Sequence, residues 1–123
     1  MTSGFNHIGN YCSQQLGENS AHMITIIPGL ERTKFKSVLC HELTHAFQAE
    51  HEMLRNFRGY KEGMARWGEY HFLLDSQKES EAKKLSSIGS VLLGNMLTKI
   101  LSYEKKYGRA ATCHWLASMS NDK

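Results

Sequence analysis

The pattern of apolar positions changes once along the 123-residue chain, from a strand-like to a helical period. Residues 22–27 form a β-branched run that Pro28 and Gly29 end, which predicts a strand. A second strand near residues 9–12 would pair with it as a hairpin, with the chain turning between residues 14 and 19. We therefore expect a small antiparallel sheet at the N-terminal end.

From Thr33 onward, apolar residues recur every three or four positions, as in amphipathic helices, with breaks at Gly59 and Gly108. The predicted helices cover residues 34–54, 60–75, 79–105 and a short segment around Trp115 and Leu116. The third carries one apolar stripe, made of Leu85, Ile88, Val91, Leu92, Met96 and Ile100. A small hairpin followed by three or four helices is a mainly helical α+β fold, and the length fits a single domain over residues 1–123.

Composition narrows the class of protein. The hydrophobic share is 41% and the charged share 22%, as in ordinary globular proteins. Because no apolar run reaches the ~20 residues of a membrane span and no signal peptide is evident, we expect no membrane partner and a cytoplasmic protein. Export by a route without a signal, or a domain trimmed from a longer protein, also fits this N-terminus.

Charge and cysteine content exclude further classes. The net charge is +3, and the short lysine pairs at 83–84 and 105–106 lack interleaved aromatic residues, so we expect no nucleic-acid partner. Three widely spaced cysteines, Cys12, Cys40 and Cys113, cannot form a four-cysteine zinc knuckle within the chain. They also argue against a disulfide framework and favour a reducing compartment.

Residues 41–45 read His-Glu-Leu-Thr-His and carry the clearest chemical pattern in the chain. Positions four apart on a helix share a face, about 5–6 Å apart at Cβ, so His41 and His45 can reach one ion. Zinc accepts neutral imidazole nitrogen, and a catalytic zinc site has three protein ligands and one position for water. Glu42 lies one residue round the helix from His41, where it can meet that water as a general base.

The flanks of this motif favour a bound metal over two incidental histidines. Val38 and Leu39 precede it and Ala46 and Phe47 follow it, so its polar side chains should be drawn against a core. Burying ionisable groups there costs free energy unless a partner binds them. A metal ion is the simplest such partner.

The second helix should supply the third ligand. Glu62 lies seventeen positions after His45, enough for the chain to turn and run back alongside the first helix. Gly63 is small and would let that helix approach the metal closely. Glu69, two turns further along the same face, is the alternative ligand or an acceptor for a ring N–H of His41 or His45.

Three segments together resemble a known family: Gly29-Leu30-Glu31-Arg32, the stretch from Ser37 to Phe47, and Glu62-Gly63. They resemble the peptidase domain of the plant LIM-domain growth regulators and their LIM-less bacterial relatives, and more broadly the gluzincin metallopeptidases. The close match covers about residues 23–74, with a looser one at residues 106–109. The chain lacks LIM zinc fingers and ubiquitin-interacting segments, so ubiquitin-linked regulation is not carried over.

The resemblance implies a minimal zincin fold with one Zn²⁺ per chain, bound by His41, His45 and Glu62. It also implies that Glu42 is the catalytic acid/base, which takes a proton from the attacking water and passes it to the leaving amine. The substrate would be a protein or peptide. A further group should donate to the oxyanion, and the candidates are Tyr103, Tyr107, His71 and His114. We favour Tyr107 and His114 because they follow the helix pair.

Other readings remain open at this point. The strand from Met23 to Ile27 could pair with an extended peptide through its backbone, or only cover the first helix. The chain could be a non-catalytic, metal-stabilised protein-interaction domain, or a helical adaptor without a metal. The oligomeric state is not indicated. The residues expected in the core include Trp67 and the methionines Met23, Met53, Met64 and Met96.

Overall fold

The computed structural model of the chain describes residues 8–87 and 91–119, and it confirms a mainly helical α+β fold with an N-terminal antiparallel hairpin. In chain order the elements are β1 (Gly9–Leu16), β2 (Asn19–Ile26), α1 (Arg32–Glu50), α2 (Arg58–Asp75), α3 (Glu79–Ser87), α4 (Val91–Tyr107) and α5 (Arg109–Met119). In the two described ranges, no helix combines the length and the apolar content that crossing a membrane requires.

The hairpin is confirmed, with longer strands and a tighter turn than the sequence predicts. Its strands pair from Gly9 opposite Ile26 to Leu16 opposite Asn19, so only two residues form the loop. Gly17 opens that loop with a φ of 64°, a conformation that glycine adopts without strain and that two-residue hairpin loops favour. The hairpin packs against α1, and this contact brings β1 to the His-Glu motif.

The first helix begins and ends earlier than its apolar period predicts. Glu31 caps its N-terminus, where the side chain accepts a hydrogen bond from the Lys34 backbone N–H at 3.2 Å. The helix ends at Glu50 rather than 54, because Glu52 and Leu54 have positive φ angles of 53° and 55°. This turn places Leu54 in the core, where it is fully buried.

The α1 helix buries polar side chains and exposes apolar ones. Its buried residues are Ser37, Val38, His41, Glu42, His45 and Gln48. By contrast, Phe35, Leu43 and Phe47 are 42%, 51% and 50% exposed. The apolar period that predicts this helix therefore lies largely on the side that faces solvent.

Two glycines let α2 pack closely on both sides, and one of them corrects a prediction. Gly63 faces α4 rather than the metal helix, since a Cβ there would lie 3.0 Å from Met96 Cβ. Gly68 instead faces α1, where a Cβ would lie 3.1 Å from the Thr44 hydroxyl. The close approach of α1 and α2 thus depends on Gly68.

In the stretch predicted as a third helix over residues 79–105, the structure describes α3 and α4, both packed on α2. Residues 88–90, and with them Ile88 of the predicted stripe, lie outside the described residues, as do the side chains of Val91 and Leu92. Leu85, Met96 and Ile100 do lie at or beside the core.

The hydrophobic core lies among α2, α4, α5 and the turn after α1, away from the hairpin. It is formed by Met53, Leu54, Met64, Trp67, Leu97, Ile100 and Leu116. The prediction that Trp67, Met53 and Met64 are core residues is confirmed. It is wrong for Met23, which is 60% exposed on β2 because the outer face of the hairpin is uncovered.

A carboxylate on α4 ties three helices together. Glu104 accepts hydrogen bonds from the Trp67 indole N–H at 3.0 Å and from His71 Nε2 at 2.9 Å, both on α2. Arg109 of α5 donates to His71 Nδ1 at 2.8 Å. Burial raises the pKa of the Glu104 carboxyl, but the hydrogen bonds from Trp67 and His71 lower it further, so the net shift is downward.

Candidate metal centre

The structure brings His41, His45 and Glu62 together where α1 and α2 run side by side. One ligand atom from each residue lies within 4.8 Å of the others, and this group can hold a metal ion. His41 and His45 are buried, at 5% and 3% exposure, while the Glu62 side chain is 20% exposed. The helical spacing of the two histidines and the pairing of α1 with α2 are sufficient to build the group.

The separations within this group suit a tetrahedral ion. Nε2 of His41 lies 3.3 Å from Glu62 Oε1, and Nε2 of His45 lies 3.1 Å from Glu62 Oε2. Two ligands of a tetrahedral ion, each about 2.0–2.1 Å from it, lie about 3.3 Å apart. Within the described part of the chain, the buried His45 Nε2 makes no hydrogen bond, although the Glu62 oxygen is close. An ion would satisfy this nitrogen.

Glu69 holds the other ring nitrogen of His41. Its Oε1 accepts a hydrogen bond from Nδ1 at 2.9 Å, so Glu69 orients His41 while Glu62 faces Nε2. The sequence left both glutamates open as ligands, and the structure gives them these two different positions. A carboxylate on Nδ1 fixes the ring and makes Nε2 a better ligand.

Charge in the metal-free group is concentrated on His41 and Glu62. Burial would lower the pKa of His41, but the carboxylates of Glu62 and Glu69 on either side raise it to about 9. Burial would likewise raise the pKa of Glu62, yet the two histidines hold it well below its usual range. A metal ion entering the group must therefore displace the proton on His41 Nε2.

Gln48 orients His45, a role that the sequence analysis missed. Its amide nitrogen donates to the Lys61 carbonyl of α2 at 3.0 Å. This bond turns Oε1 toward His45, where it accepts from Nδ1 at 3.0 Å. With its N–H held on Nδ1, His45 presents a lone pair at Nε2. The position of Gln48, three residues after His45, is the one hint in the sequence.

Glu42 is fully buried beside the group, under β1. Gly9 of β1 lies so close that a Cβ there would be 2.6 Å from Val38 Cγ1 and 3.2 Å from Glu42 Oε2. Val38 and Glu42 are one helical turn apart, so β1 lies against this face of α1. The absence of a side chain at Gly9 therefore gives the Glu42 carboxylate its room.

Tyr11 of β1 covers His45, and nothing in the sequence points to this contact. The two rings stack with centroids 6.4 Å apart, and Tyr11 is 4% exposed. Its hydroxyl lies 2.7 Å from His22 Nδ1, and His22 Nε2 lies 2.7 Å from Glu50 Oε1. Because a carboxylate only accepts, His22 donates to Glu50 and Tyr11 donates to His22. This chain of hydrogen bonds fastens the hairpin over α1.

The residues expected to stabilise an oxyanion lie on α2, α4 and α5. Tyr107 is 56% exposed at the end of α4, with its ring 4.6 Å from that of Tyr103, and His114 is exposed on α5. Neither makes a hydrogen bond or ring contact with the metal-binding group in the described ranges. His71 is held by Glu104 and Arg109 instead. A role for Tyr107 or His114 stays a prediction.

The cysteines do not contribute to the group. Cys12, Cys40 and Cys113 are all free thiols in the structure. Cys40 is partly buried, and its thiol donates to the Gly68 carbonyl at 3.6 Å. It helps to seat α2 on α1.

Comparison with known proteins finds no match, whether with protein-family models, curated proteins or solved structures. The resemblance to the gluzincin peptidases therefore depends only on the sequence segments quoted above and stays a prediction.

Proposed function

We propose that this chain is a zinc-dependent metallopeptidase that hydrolyses peptide bonds in a protein or peptide substrate. The observation that carries this proposal is the convergence of two imidazole Nε2 atoms and one carboxylate, with Glu42 buried next to them. Each imidazole is oriented through Nδ1 by an acceptor, Glu69 or Gln48. Such support is typical of metal ligands.

Zinc is the metal that this set of ligands fits best. Two imidazoles and one carboxylate are the protein ligands of a large class of catalytic zinc sites, and the separations suit a tetrahedral ion. When bound, zinc would supply a Lewis acid that polarises the scissile carbonyl and acidifies a water molecule. The resemblance to gluzincins points to the same metal.

Glu42 is the proposed acid/base. It follows His41 directly on α1, and its fully buried carboxylate lies under Gly9 of β1, the strand whose Tyr11 covers His45. There it would accept the proton of the attacking water and return it to the leaving amine. Glu69 and Gln48 would keep the two imidazoles in place throughout.

A second candidate function is a non-catalytic protein-interaction domain that the metal stabilises. The observation that favours it is the complete burial of Glu42, because a substrate must reach the atoms beside this carboxylate. In the peptidase, β1 would have to move away from α1 before a peptide could bind. In the interaction domain, the group stays closed.

The two functions are separated by Glu42→Gln, with His45→Ala as the control that removes a ligand. We expect one zinc per chain in the wild type and in Glu42→Gln by elemental analysis, and its loss in His45→Ala. We expect the wild type to cleave members of a peptide library and Glu42→Gln to cleave none. A wild type that binds zinc but cleaves nothing would favour the interaction domain. A chain that binds no metal after reconstitution would refute both.

A further inference from the structure

A stripe of apolar side chains runs along the solvent-facing side of α1. Leu39 is partly buried, and Leu43 and Phe47 are 51% and 50% exposed. Lys36 lies at one end of the stripe and Glu50 at the other, about 21 Å apart along the helix. Because monomeric proteins rarely leave such an apolar stripe exposed to solvent, we expect another protein surface to cover it.

The stripe borders an open groove between α1 and α2. The groove has a volume of about 520 Å³ and is lined by Lys36, Leu39, Cys40, Leu43, Thr44, Phe47, Met64 and Phe72. The metal-binding group and most of the hairpin contacts lie on the other side of α1, at Val38, Glu42 and His45, although the hairpin also reaches Glu50 at one end of the stripe. A partner seated in the groove would therefore leave the candidate metal centre uncovered.

The stripe is symmetric about Leu43 in both spacing and charge. Leu39 lies four residues before it and Phe47 four after, while Lys36 lies seven before and Glu50 seven after. If two such helices pair antiparallel about Leu43, each Leu39 meets a Phe47, and each Lys36 meets a Glu50. Apolar residues at the centre with opposite charges at the ends are typical of paired helices.

The charged ends are available for this pairing. Lys36 is exposed to solvent and forms no ion pair within residues 8–87 and 91–119. The Glu50 side chain is 57% exposed even though one oxygen accepts from His22. A parallel pair would set Lys36 against Lys36 and Glu50 against Glu50, which repel.

We propose that the α1 stripe is the interface of a homodimer, in which α1 packs antiparallel on α1 of a second copy. The two-fold axis passes at Leu43, and Phe47 of each copy enters the groove of the other. The interface is isologous, as expected for two copies of one chain. This assembly is independent of the metal and of any catalytic activity.

Disulfide trapping tests the position of the axis on the full chain. Cys12 and Cys113 are exposed, so both are first replaced by serine to give a background with Cys40 alone. Leu43→Cys in this background should form a covalent dimer on mild oxidation, because a residue on the axis meets its own copy. Lys34→Cys, also exposed on α1 but off the stripe, is the matched control and should form no covalent dimer. Equal cross-linking of the two variants would overturn the proposal.

Sedimentation equilibrium tests the interface and its direction. The wild type should approach twice the monomer mass of 14.0 kDa with rising concentration, and Leu43→Glu should remain at one mass with unchanged circular dichroism. Lys36→Glu should raise the dimer dissociation constant about tenfold, because two carboxylates would then face each other at each end of the interface and repel.

Two results of that experiment would overturn the homodimer. One is a wild type that stays monomeric at every concentration, in which case the groove serves another protein or another part of a longer chain. The other is a Lys36→Glu variant that dimerises as tightly as the wild type, because Lys36 would then not meet Glu50 as the antiparallel pairing requires. Glu50 is left unchanged in this test, since its replacement by lysine would also remove the contact with His22.

Discussion

Replacing Gln48 with methionine tests whether the metal-binding group depends on the residues that orient it. Methionine keeps the length of the side chain and its apolar volume but has no amide. The change therefore removes the hydrogen bond to His45 Nδ1 and the one to the Lys61 carbonyl, both 3.0 Å long. Gln48 touches neither Nε2 atom in the described structure, so any effect on the metal passes through His45 or through Lys61, which directly precedes the ligand Glu62.

The magnitude follows from these two contacts. The first leaves the buried His45 Nδ1 without its partner, which costs about 1–3 kcal/mol, whereas the partly buried Lys61 carbonyl still accepts within α2, so the metal-free protein should lose about 1–3 kcal/mol of stability. Loss of a residue that orients a metal-ligating histidine lowers metal affinity about 10–100-fold. That change corresponds to about 1.4–2.7 kcal/mol of binding free energy.

Two measurements separate these effects. Urea unfolding of the metal-free protein gives the stability change, and competition with a chelator for zinc at a temperature where both proteins are folded gives the affinity change. Gln14→Met, on an exposed position of β1, is the matched control and should change neither. If Gln48→Met destabilises the protein but binds zinc as tightly as the wild type, Gln48 does not orient His45 for a metal.

Two further predictions concern β1 and α4. Gly9→Ala should destabilise the protein by about 1–3 kcal/mol in urea unfolding, because the new methyl group meets Val38 and Glu42. It should also reduce peptide cleavage while zinc stays bound. An unchanged unfolding free energy and an unchanged cleavage rate would contradict the close approach of β1. Because the folded pKa of Glu104 lies below its ordinary value of 4.5, its stabilisation is present above that pH and is lost as the pH falls through the folded value. The unfolding free energy of Glu104→Gln should therefore fall less steeply than that of the wild type in acid, and parallel curves would refute this role.

The secondary structure was predicted correctly where it depends on residues that are close together in the sequence. The β-branched run ended by Pro28 and Gly29 is β2, and the helical period after Thr33 is α1. The end of α1 was misplaced because the positive φ angles of Glu52 and Leu54 serve the burial of Leu54 in a core made by other helices. Periodicity within one segment carries no information on that core.

The residues of the candidate site also divide into those that local spacing predicts and those that helix packing decides. His41, Glu42 and His45 were predicted from their spacing, since four residues on a helix bring two imidazoles to one face. The sequence could not decide between Glu62 and Glu69 as the third ligand, because both lie on one face of α2. The position of α2 along α1 decides which of them meets the Nε2 atoms. The structure sets that position through Gly68, not through Gly63.

The sequence by itself determined the element types, the hairpin and the spacing of the two histidines and Glu42, because each depends on residues close together in the chain. Only the tertiary structure decided which polar groups are buried and what holds them. Tyr11 and Gln48 contact His45 from β1 and from the next helical turn, and the apolar stripe of α1 is left in solvent. These features depend on how separate elements pack, and a pattern along one element cannot specify which of its faces another element will cover.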